Sequence, residues 1–501
     1  MGSNDMKEIE AIVSARKAKD SVPSISFFYG EKIRDDENVA VKVDGGILYR
    51  WENNFWNSQK HEYEVRRARD WVDNVAASKS SANASEELAK TALQKARELP
   101  KVKGEVCIPL RNAYLHLEEQ VFPPSEIEDD EGNAITVAGG VSHVFRVEKP
   151  SKDYGMTYVI DCELKTAVEG SYYCPKVDIS NTLFGQFLER CQPDPAVREL
   201  LQEFTAYTLL PDTRFSVACM NVGGGSNGKS TFMDILKGIH RKVSTIDLND
   251  LDGFHMEDAV DASLIVVDEV PDKINQTASN RWKSIVDGRQ VKIDRKFKTV
   301  MSTPLYAKWV CSANTPPVTR DTSHGYWRRW ITIPWEVEIK DGEKIHNLER
   351  RILAEERHVV LEWALEGLLR LLDRGRFAEQ PEPVRKLKED IRAMTDTVRG
   401  WVAGCEIAVD LAVETSKDEV WLHYQKWCEE SGHYNVAKNK FFSRLFEVFP
   451  EAKAQEKQKR SFTGRIRTIP IRLDPPDVVE PGDDGGFECK EPHRATLPNR
   501  F

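Results

Sequence analysis

Apolar residues along the chain change their spacing at several points, and these changes predict the order of its elements. Between residues 183 and 211, apolar side chains recur at helical intervals, beginning with Leu183, Phe184 and Phe187. From residue 215 to residue 335, short apolar runs of strand length alternate with helical patterns. Because parallel strands are joined through crossover helices, this alternation predicts an α/β fold with a mainly parallel sheet.

Shifts in pattern and composition divide the chain into five predicted segments. Polar residues 1–20 are expected to form a flexible N-terminus, and residues 21–174 a mixed α/β domain. Residues 175–376 hold a helical lead-in and the predicted parallel sheet, and residues 384–473 form a smaller helix-rich domain that ends in short strands. The Pro-, Gly- and Asp-rich residues 474–501 are predicted to be a flexible acidic tail.

Two short stretches of the N-terminal domain have patterns of their own. The sequence GGILYRWENNFW, from Gly45 to Trp56, indicates a strand or a short hairpin. The acidic stretch SEIEDDEG, from Ser125 to Gly132, is expected to be a solvated loop, because like charges favour exposure to water.

One segment concentrates glycine, lysine and hydroxyl residues between a predicted strand and a predicted helix. The apolar run Phe215–Val222 precedes this segment, and Phe232, Ile235 and Leu236 follow it at helical spacing. A glycine-rich loop that opens a helix lets backbone N–H groups converge on phosphate oxygens. The context predicts a P-loop, and a glycine turn without a ligand is the alternative. The predicted nucleotide-binding residues are Gly223, Gly224, Gly225, Ser226, Asn227, Gly228, Lys229, Ser230 and Thr231.

Two side chains of this loop have predicted roles beyond the backbone cradle. Lys229 would reach the β- and γ-phosphates of ATP, where its positive charge opposes theirs. Ser230 would ligate Mg²⁺ through its hydroxyl oxygen. ATP and Mg²⁺ are therefore the predicted cofactors.

A second apolar strand, SLIVVDEV from Ser263 to Val270, ends in two acidic residues. Asp268 would hold Mg²⁺ through water, and Glu269 would orient and polarise the attacking water. An apolar run that ends in Asp-Glu is a weak signal alone, but its position after a P-loop lysine makes it a strong one.

A third predicted strand lies within YAKWVCSANTPP, from Tyr306 to Pro317, and reaches the polar residue Asn314. In a parallel sheet its end would lie beside the first two strand ends, where ligands bind. Asn314 would then position the water or sense the γ-phosphate. The alternative is that asparagine before Thr-Pro-Pro simply starts a turn.

Two adjacent arginines, Arg328 and Arg329, precede a fourth predicted strand in GYWRRWITIPW. An arginine far along the chain from the P-loop lysine is typical of an arginine finger, which stabilises charge on the transferred phosphoryl group. Because adjacent residues of a strand point in opposite directions, we expect one of the two to reach the nucleotide, with a slight preference for Arg329. The alternative is a pair of surface arginines that flank tryptophans.

With these four motifs in this order, the chain resembles the superfamily 3 helicases, a branch of the AAA+ ATPases. It is similar to the phage and plasmid primase–helicase group that includes the poxvirus primase-helicase. The residues that carry the resemblance are GGGSNGKST, VVDEV, WKSIVDGRQVKIDRKFKT, CSANTPP and GYWRRW. The resemblance covers about residues 175–473, and Val420–Phe449 resembles the winged-helix module of that group.

The resemblance implies a P-loop AAA+ core and a homo-oligomeric ring, expected to be a hexamer. It also implies movement in the 3′-to-5′ direction on single-stranded and forked DNA. Many members carry a primase, but here Asp161 and Glu163 share a predicted strand face without a third carboxylate, so an exposed face is expected. We therefore expect a separate primase or polymerase as partner.

Two basic regions are candidates for DNA contact. Residues 281–300 hold seven Lys or Arg against two Asp, and QVKIDRKFKTV within them indicates a strand, a turn and a strand. In the resembled family this hairpin projects into the ring channel, so its phosphate contacts would be independent of sequence. A solvated basic hairpin is the alternative. The predicted DNA-binding residues are Lys292, Arg295, Lys296 and Lys298.

The second basic region, residues 438–472, holds ten Lys or Arg against three Glu. A winged helix that grips duplex DNA is one interpretation of this region, and docking onto a partner protein is the other.

Composition limits the classes of protein to consider. The 501 residues carry a net charge of −10, which argues against a protein that coats nucleic acid with its whole surface. No apolar run is long enough to span a membrane, and the N-terminus has no signal core, so we expect no membrane partner. Nine cysteines without a C-x-x-C pair argue against a zinc site and favour a reducing cytoplasm.

These observations predict an ATP-dependent, ring-forming replicative DNA helicase of a phage or plasmid element. One rival is another P-loop enzyme such as a packaging ATPase, although we see no acidic nuclease cluster. The other is an origin-binding protein or helicase loader that uses ATP as an assembly switch. Strand displacement distinguishes a helicase from a loader.

Overall fold

A computed structural model describes residues 24–473, apart from residues 45, 102–105, 123–124, 129–133, 138–139, 167, 252, 296–299, 320, 434 and 462–463. The described chain is a mixed α/β protein with an N-terminal part, a central part built on a parallel sheet, and a small C-terminal part. The flexible N-terminus and acidic tail predicted for residues 1–20 and 474–501 lie outside the described residues.

The first half of the N-terminal part is a four-stranded sheet, in the order β3-β2-β1-β4, packed against three helices. Its core holds Val39, Leu48, Val72 and Leu88, all almost fully buried. Strands β2 and β3 form the hairpin predicted from the sequence. The elements are α1 (Ile25–Asp35), β1 (Val39–Lys42), β2 (Ile47–Glu52), β3 (Phe55–Ser58), α2 (His61–Ala76), α3 (Ala82–Lys95) and β4 (Arg97–Glu98).

The second half of the N-terminal part contains another four-stranded sheet, in the order β10-β9-β6-β5, and a two-stranded hairpin. The acidic stretch that was expected to be a loop begins with strand β7, so that prediction was wrong for Ser125–Glu128. Backbone pairing with Ala134–Val137 overrides the charge pattern there. The strands are β5 (Cys107–Pro109), β6 (Tyr114–Phe122), β7 (Ser125–Glu128), β8 (Ala134–Val137), β9 (Gly140–Glu148) and β10 (Tyr172–Tyr173).

Two helices, α4 (Leu183–Cys191) and α5 (Pro195–Thr208), lead into the central sheet. The side chain of Asp194 caps α5, and Pro195 occupies the first helical position, which its fixed φ favours. These helices share one core with the face of the sheet that carries Cys219 and Val310.

The central sheet has five strands in the order β12-β13-β17-β11-β19, and every neighbouring pair is parallel. Four of the five strands are buried along their length, as expected for a parallel sheet covered on both faces, whereas the edge strand β12 is only partly buried. The elements are β11 (Ala218–Val222), α6 (Lys229–Ile239), β12 (Val243–Thr245), β13 (Leu264–Val267), β17 (Lys308–Ala313) and β19 (Trp330–Pro334).

Between these strands lie short elements that include the predicted basic hairpin. Strands β15 and β16 pair antiparallel, with Val291 opposite Thr303 and Ile293 opposite Met301. The elements are β14 (Lys273–Ile274), α7 (Gln276–Val286), β15 (Val291–Ile293), β16 (Met301–Thr303), β18 (Val318–Thr319) and α8 (His324–Trp327).

Helices α9 (Leu348–Glu355), α10 (Arg357–Arg374) and α11 (Glu382–Thr395) complete the central part. Helix α11 packs on β19: its Val384 and Ile391 are fully buried in the central cores, and Lys388 Nζ donates to the Trp330 carbonyl at 2.7 Å. Helix α11 therefore shares its apolar contacts with the central part.

The C-terminal part has its own apolar core, which includes Val398, Trp401 and Phe441. Its three-stranded antiparallel sheet has the order β21-β23-β22. The elements are α12 (Thr397–Gly404), β20 (Ala408–Val409), β21 (Thr415–Ser416), α13 (Lys417–Glu430), α14 (Lys438–Val448), α15 (Pro450–Ala454), β22 (Lys457–Ser461), β23 (Gly464–Ile469) and β24 (Ile471–Arg472).

Candidate nucleotide site

The glycine-rich loop connects the end of β11 to the start of α6. Gly225 and Gly228 have φ values of +109° and +88°, a conformation that favours glycine. At Gly223 a Cβ atom would lie 2.3 Å from both Asn227 Nδ2 and the Trp335 carbonyl oxygen, whereas Gly224 and Gly225 face open space. The loop is therefore closely packed on one side and open on the other, as a phosphate cradle requires.

The ammonium group of Lys229 is hydrogen-bonded both to the glycine-rich loop and to the end of the neighbouring strand. Its Nζ atom donates to the carbonyl oxygens of Gly223 at 2.7 Å and Ala313 at 3.1 Å, and to Asn314 Oδ1 at 3.0 Å. Burial lowers the pKa of Lys229, and the charge of Glu269 opposes that shift. The lysine thus joins the loop to the end of the neighbouring strand.

The loop is also held by contacts that the sequence motifs did not indicate. Asn227 Nδ2 donates to the Trp335 carbonyl at 2.9 Å, and Ile339 N donates to the Ser226 carbonyl at 2.7 Å. Trp335 and Ile339 both follow β19, so the segment after this strand supports the loop. An asparagine inside the glycine-rich loop is the sequence signal for the first of these contacts. The residue that it contacts, Trp335, is distant in sequence.

The predicted strand-end residues lie at the loop edge of the sheet. Strand β17 lies between β11 and β13, so Asn314 follows the strand next to the loop. Asp268 and Glu269 follow β13, one strand further away, and both are exposed. Asp268 Oδ1 accepts from Lys237 Nζ of α6 at 3.3 Å. The structure brings Lys229 and Asn314 into contact, with the two acids at the next strand end.

The residues present fit a nucleotide-bound Mg²⁺. Ser230 and Asp268 are exposed at the edge that carries the loop, and each offers an oxygen ligand. Among the described residues, no group of three or more His, Cys, Asp or Glu could hold a metal ion without other ligands. Mg²⁺ commonly takes one or two protein ligands, with phosphate and water oxygens filling its octahedron.

The two candidate finger arginines lie in different environments. Arg329 is buried and donates from Nε and Nη2 to the two carboxylate oxygens of Asp287, at 2.8 and 2.7 Å. Its remaining guanidinium nitrogen donates to the Gly325 carbonyl. Arg328 is exposed. We therefore revise the preference for Arg329 in favour of Arg328, because Arg329 is already bound within its own subunit.

Both arginines precede β19, which runs parallel to β11. The amino end of β19 is therefore at the edge of the sheet opposite to the loop, about 16 Å away at roughly 3.3 Å per strand residue. Arg328 is therefore remote from the glycine-rich loop of its own chain.

The predicted DNA-binding residues of the basic hairpin also differ from one another. Lys292 is exposed on β15. Arg295 is buried, its Nε atom is 4.0 Å from Glu257 Oε1, and its Nε and Nη1 atoms have no hydrogen-bond partner among the described residues. Lys296 and Lys298 lie outside the described residues. Lys292 therefore faces solvent, whereas Arg295 does not.

Two strands of the basic C-terminal region carry their arginines on one face of the sheet. Arg460 of β22 lies opposite Arg465 of β23, and Arg467 lies opposite Gln458 on the same face. The other face carries Lys457 and Lys459, which bind Glu414 and lower its pKa to about 2. On the arginine face, Arg467 Nη1 lies 3.7 Å from Glu456 Oε1. Arg460 and Arg465 are therefore the two arginines of this face that have no ion pair among the described residues.

Not every cation of this region contributes to that surface. Arg444 is buried and forms an ion pair with Asp396 at 3.1 Å. This pair holds α14 against the start of α12. Arg444 therefore belongs to the packing between these two helices and not to the basic surface.

Comparison with protein families gives two matches. A model described as a family of unknown function (DUF5906) matches residues 221–329, which contain the glycine loop, the strand ends and the basic hairpin. A model described as poxvirus D5 protein-like matches residues 406–467 of the C-terminal part. The second match supports the resemblance to a D5-like primase–helicase that was drawn from the sequence. No curated protein matches the chain.

Two solved structures match the chain at low identity and with TM-scores below 0.5. The apo structure of NrS-1 C terminal region (305-718) is 13% identical, with a TM-score of 0.48, over 90% of this chain and 100% of its own. The A form apo structure of NrS-1 C terminal region-CTR is 12% identical, with a TM-score of 0.45, over 87% and 96%. Likeness at this level does not assign an activity. No helix in the described parts of the chain is long and apolar enough to cross a membrane.

Proposed function

We propose that the chain is an ATP-driven, ring-forming DNA helicase that moves along single-stranded DNA and unwinds duplex. The observation that carries the proposal is the contact between Lys229 and Asn314 at the loop edge of the parallel sheet. Asp268 and Glu269 end the next strand of the same edge. An ammonium, an amide and two carboxylates on adjacent strands are the groups needed to bind a triphosphate and activate water.

In the proposed reaction, ATP is the substrate, and loop N–H groups with Lys229 bind its phosphates. Glu269 orients a water and takes its proton as the water oxygen bonds to the γ-phosphorus. The bond from that phosphorus to the oxygen bridging to the β-phosphate breaks, so ADP and inorganic phosphate leave. Asn314 positions the water or contacts the γ-phosphate. Mg²⁺, held by Ser230 and through water by Asp268, offsets phosphate charge when bound.

The position of Arg328 supports the proposal of a ring of identical subunits. Arg328 lies at the edge of the sheet opposite to its own loop, so it completes the site of a neighbour. The placement of β17 between the loop strand and the acidic strand supports an AAA+ core. We propose a hexamer on these grounds and from the resemblance described above.

DNA contacts are assigned to two surfaces. We assign the contact with single-stranded DNA in the ring channel to Lys292, Lys296 and Lys298, since phosphate contacts there permit movement along any sequence. The helices and three-stranded sheet of the C-terminal part support a winged-helix-like module, whose arginine face contacts duplex DNA.

The second candidate function is an ATP-switched origin-binding protein or helicase loader. The observation that favours it is the arginine face of the C-terminal part, which could hold duplex DNA without any motor activity. Both functions predict ATP binding, but only the helicase predicts sustained strand displacement.

ATP hydrolysis by the full chain, with and without single-stranded DNA, tests the proposal. We expect DNA-stimulated hydrolysis in the parent and its loss in Lys229→Ala. The control is Lys386→Ala, which removes an exposed lysine of α11. Equal turnover in the parent and in Lys229→Ala would exclude this site. DNA-stimulated hydrolysis without displacement of a forked duplex would favour the loader.

A further inference from the structure

A buried ion pair joins the end of α7 to the segment that carries Arg328. Asp287, which follows α7, accepts two hydrogen bonds from Arg329, and the side chains are only 13% and 6% exposed. Burial alone would raise the pKa of Asp287, but the hydrogen bonds and charge of Arg329 hold it below its ordinary value. A two-bond arginine–carboxylate pair fixes orientation as well as distance.

Two further contacts join the same elements. The rings of Trp282 and Trp330 are stacked, with centroids 4.2 Å apart and planes 9° apart. Lys283 Nζ lies 2.6 Å from Asp321 Oδ2. Helix α7 and residues 321–330 are therefore held as one unit, which we name the clamped block.

The basic hairpin leaves the clamped block directly after Asp287. Gly288 has φ +66°, and a Cβ there would lie 2.3 Å from Thr213 Oγ1, so the turn is tight and needs glycine. Strand β15 begins three residues later. Only a short, packed turn separates the ion pair from the hairpin, so motion of one element is passed to the other.

We propose that Asp287 and Arg329 are positioning residues that couple the basic hairpin to Arg328. When DNA draws the hairpin into a new position, the clamped block carries Arg328 toward or away from the neighbouring subunit's nucleotide. This inference rests on the proposed function, and it deepens it by assigning the link between DNA contact and hydrolysis. The buried Arg329 thus acts through Arg328 without touching ATP.

The test compares the full-length parent with Asp287→Asn, which keeps the size of the side chain and removes its charge. The control is Asp212→Asn, because Asp212 also accepts hydrogen bonds from one arginine, Arg214, but lies outside the clamped block. Each chain is measured for melting temperature, for kcat and KM of ATP hydrolysis, and for stimulation of kcat by single-stranded DNA.

We expect the KM for ATP of Asp287→Asn to stay close to that of the parent, because the loop is unchanged. Its stimulation by DNA should fall by about twofold to thirtyfold, the range of typical couplings between sites. Asp212→Asn should keep the parental ratio of kcat with single-stranded DNA to kcat without it. Arg329→Lys, which keeps the charge and loses the two-bond geometry, should lower the ratio as well.

If single-stranded DNA stimulates kcat of a folded Asp287→Asn chain as strongly as that of the parent, the inference is wrong. So would failure of both Asp287→Asn and Arg329→Lys to fold, since the pair would then be needed for stability alone. A parent whose hydrolysis does not respond to DNA would reject the proposed function instead. The two failures are therefore distinguishable.

Discussion

Lys229 Nζ and Asn314 Oδ1 lie 3.0 Å apart, which joins the glycine loop to the end of the adjacent strand. The contact brings together two residues 85 positions apart in sequence. The contact gives Asn314 a position of its own in the structure, because it holds the ammonium group of Lys229. Its contact with water or phosphate stays a proposal.

Asn314→Ala should reduce kcat for ATP hydrolysis by about a hundredfold to a thousandfold, the cost found when one polar group that stabilises transition-state charge is removed. Nucleotide affinity should change far less, because the loop N–H groups and Lys229 remain. The measurement is kcat together with equilibrium binding of ATP. The control is Asn280→Ala, at an exposed position of α7. A parental kcat in Asn314→Ala would mean that the residue only starts a turn.

Arg328→Ala should lose about 10³–10⁵-fold in turnover, as expected when an arginine finger is removed. Mixed with Lys229→Ala, it should recover some hydrolysis, because one mixed interface pairs an intact loop with an intact finger. The measurement is ATP turnover across mixing ratios in rings shown to contain both variants. No recovery in such rings would contradict a site shared between subunits.

Arg329→Ala should mainly lower the free energy of unfolding. It removes the two-bond partner of the Asp287 carboxylate and leaves Arg289 Nη2, 3.4 Å from Asp287 Oδ2, as the nearby cation. The loss in unfolding free energy should therefore be below the about 3–5 kcal/mol typical of a buried charge left unpaired. Denaturant unfolding of Arg329→Ala and Arg328→Ala measures the contrast. Equal unfolding free energies for the two variants would argue against a structural position for Arg329.

The arginine face of the C-terminal sheet should bind DNA phosphate. Arg460→Ala and Arg465→Ala should each flatten the salt dependence of duplex binding by about one unit of log K against log salt. Lys459→Ala is the matched control, because Lys459 lies on the other face and is paired with Glu414. Unchanged slopes in both arginine variants would leave docking to a protein as the better interpretation of this face.

Buried Lys308 should give stability a pH dependence. Its ammonium donates to the Leu210 carbonyl, and burial lowers its pKa from 10.5 to about 7. Between these values the unfolded chain binds more protons than the folded one, so stability should rise with pH by about 1.4 kcal/mol per unit. Lys308→Met should lack this contribution. Denaturant unfolding at pH 7, 8 and 9 tests the difference, and parallel curves for the two chains would contradict it.

Local patterns predicted much of the central fold. The strand before the glycine loop, the helix after it and the basic hairpin are present, because each depends on periodicity and glycine placement over a few residues. The predicted parallel sheet is also present. The roles assigned to Asp268, Glu269 and the DNA-facing lysines stay predictions.

Contacts between distant residues could not be predicted from these patterns. Arg329 and Asp287 are 42 positions apart, and Asn227 and the residue that its side chain contacts are 108 apart. Nothing in either local sequence indicates which basic residue becomes buried. The burial of Arg295 is likewise not indicated by its local sequence.

Displacement of one labelled strand from a forked duplex tests the central claim most directly. The parent is compared with Glu269→Gln, on forks whose loading strand ends in a 3′ or a 5′ single-stranded tail. We predict that the parent separates the fork with the 3′ tail only when ATP is hydrolysed, and that Glu269→Gln binds the fork and ATP without separating it. ATP hydrolysis by the parent with no displacement of either fork would contradict a DNA helicase.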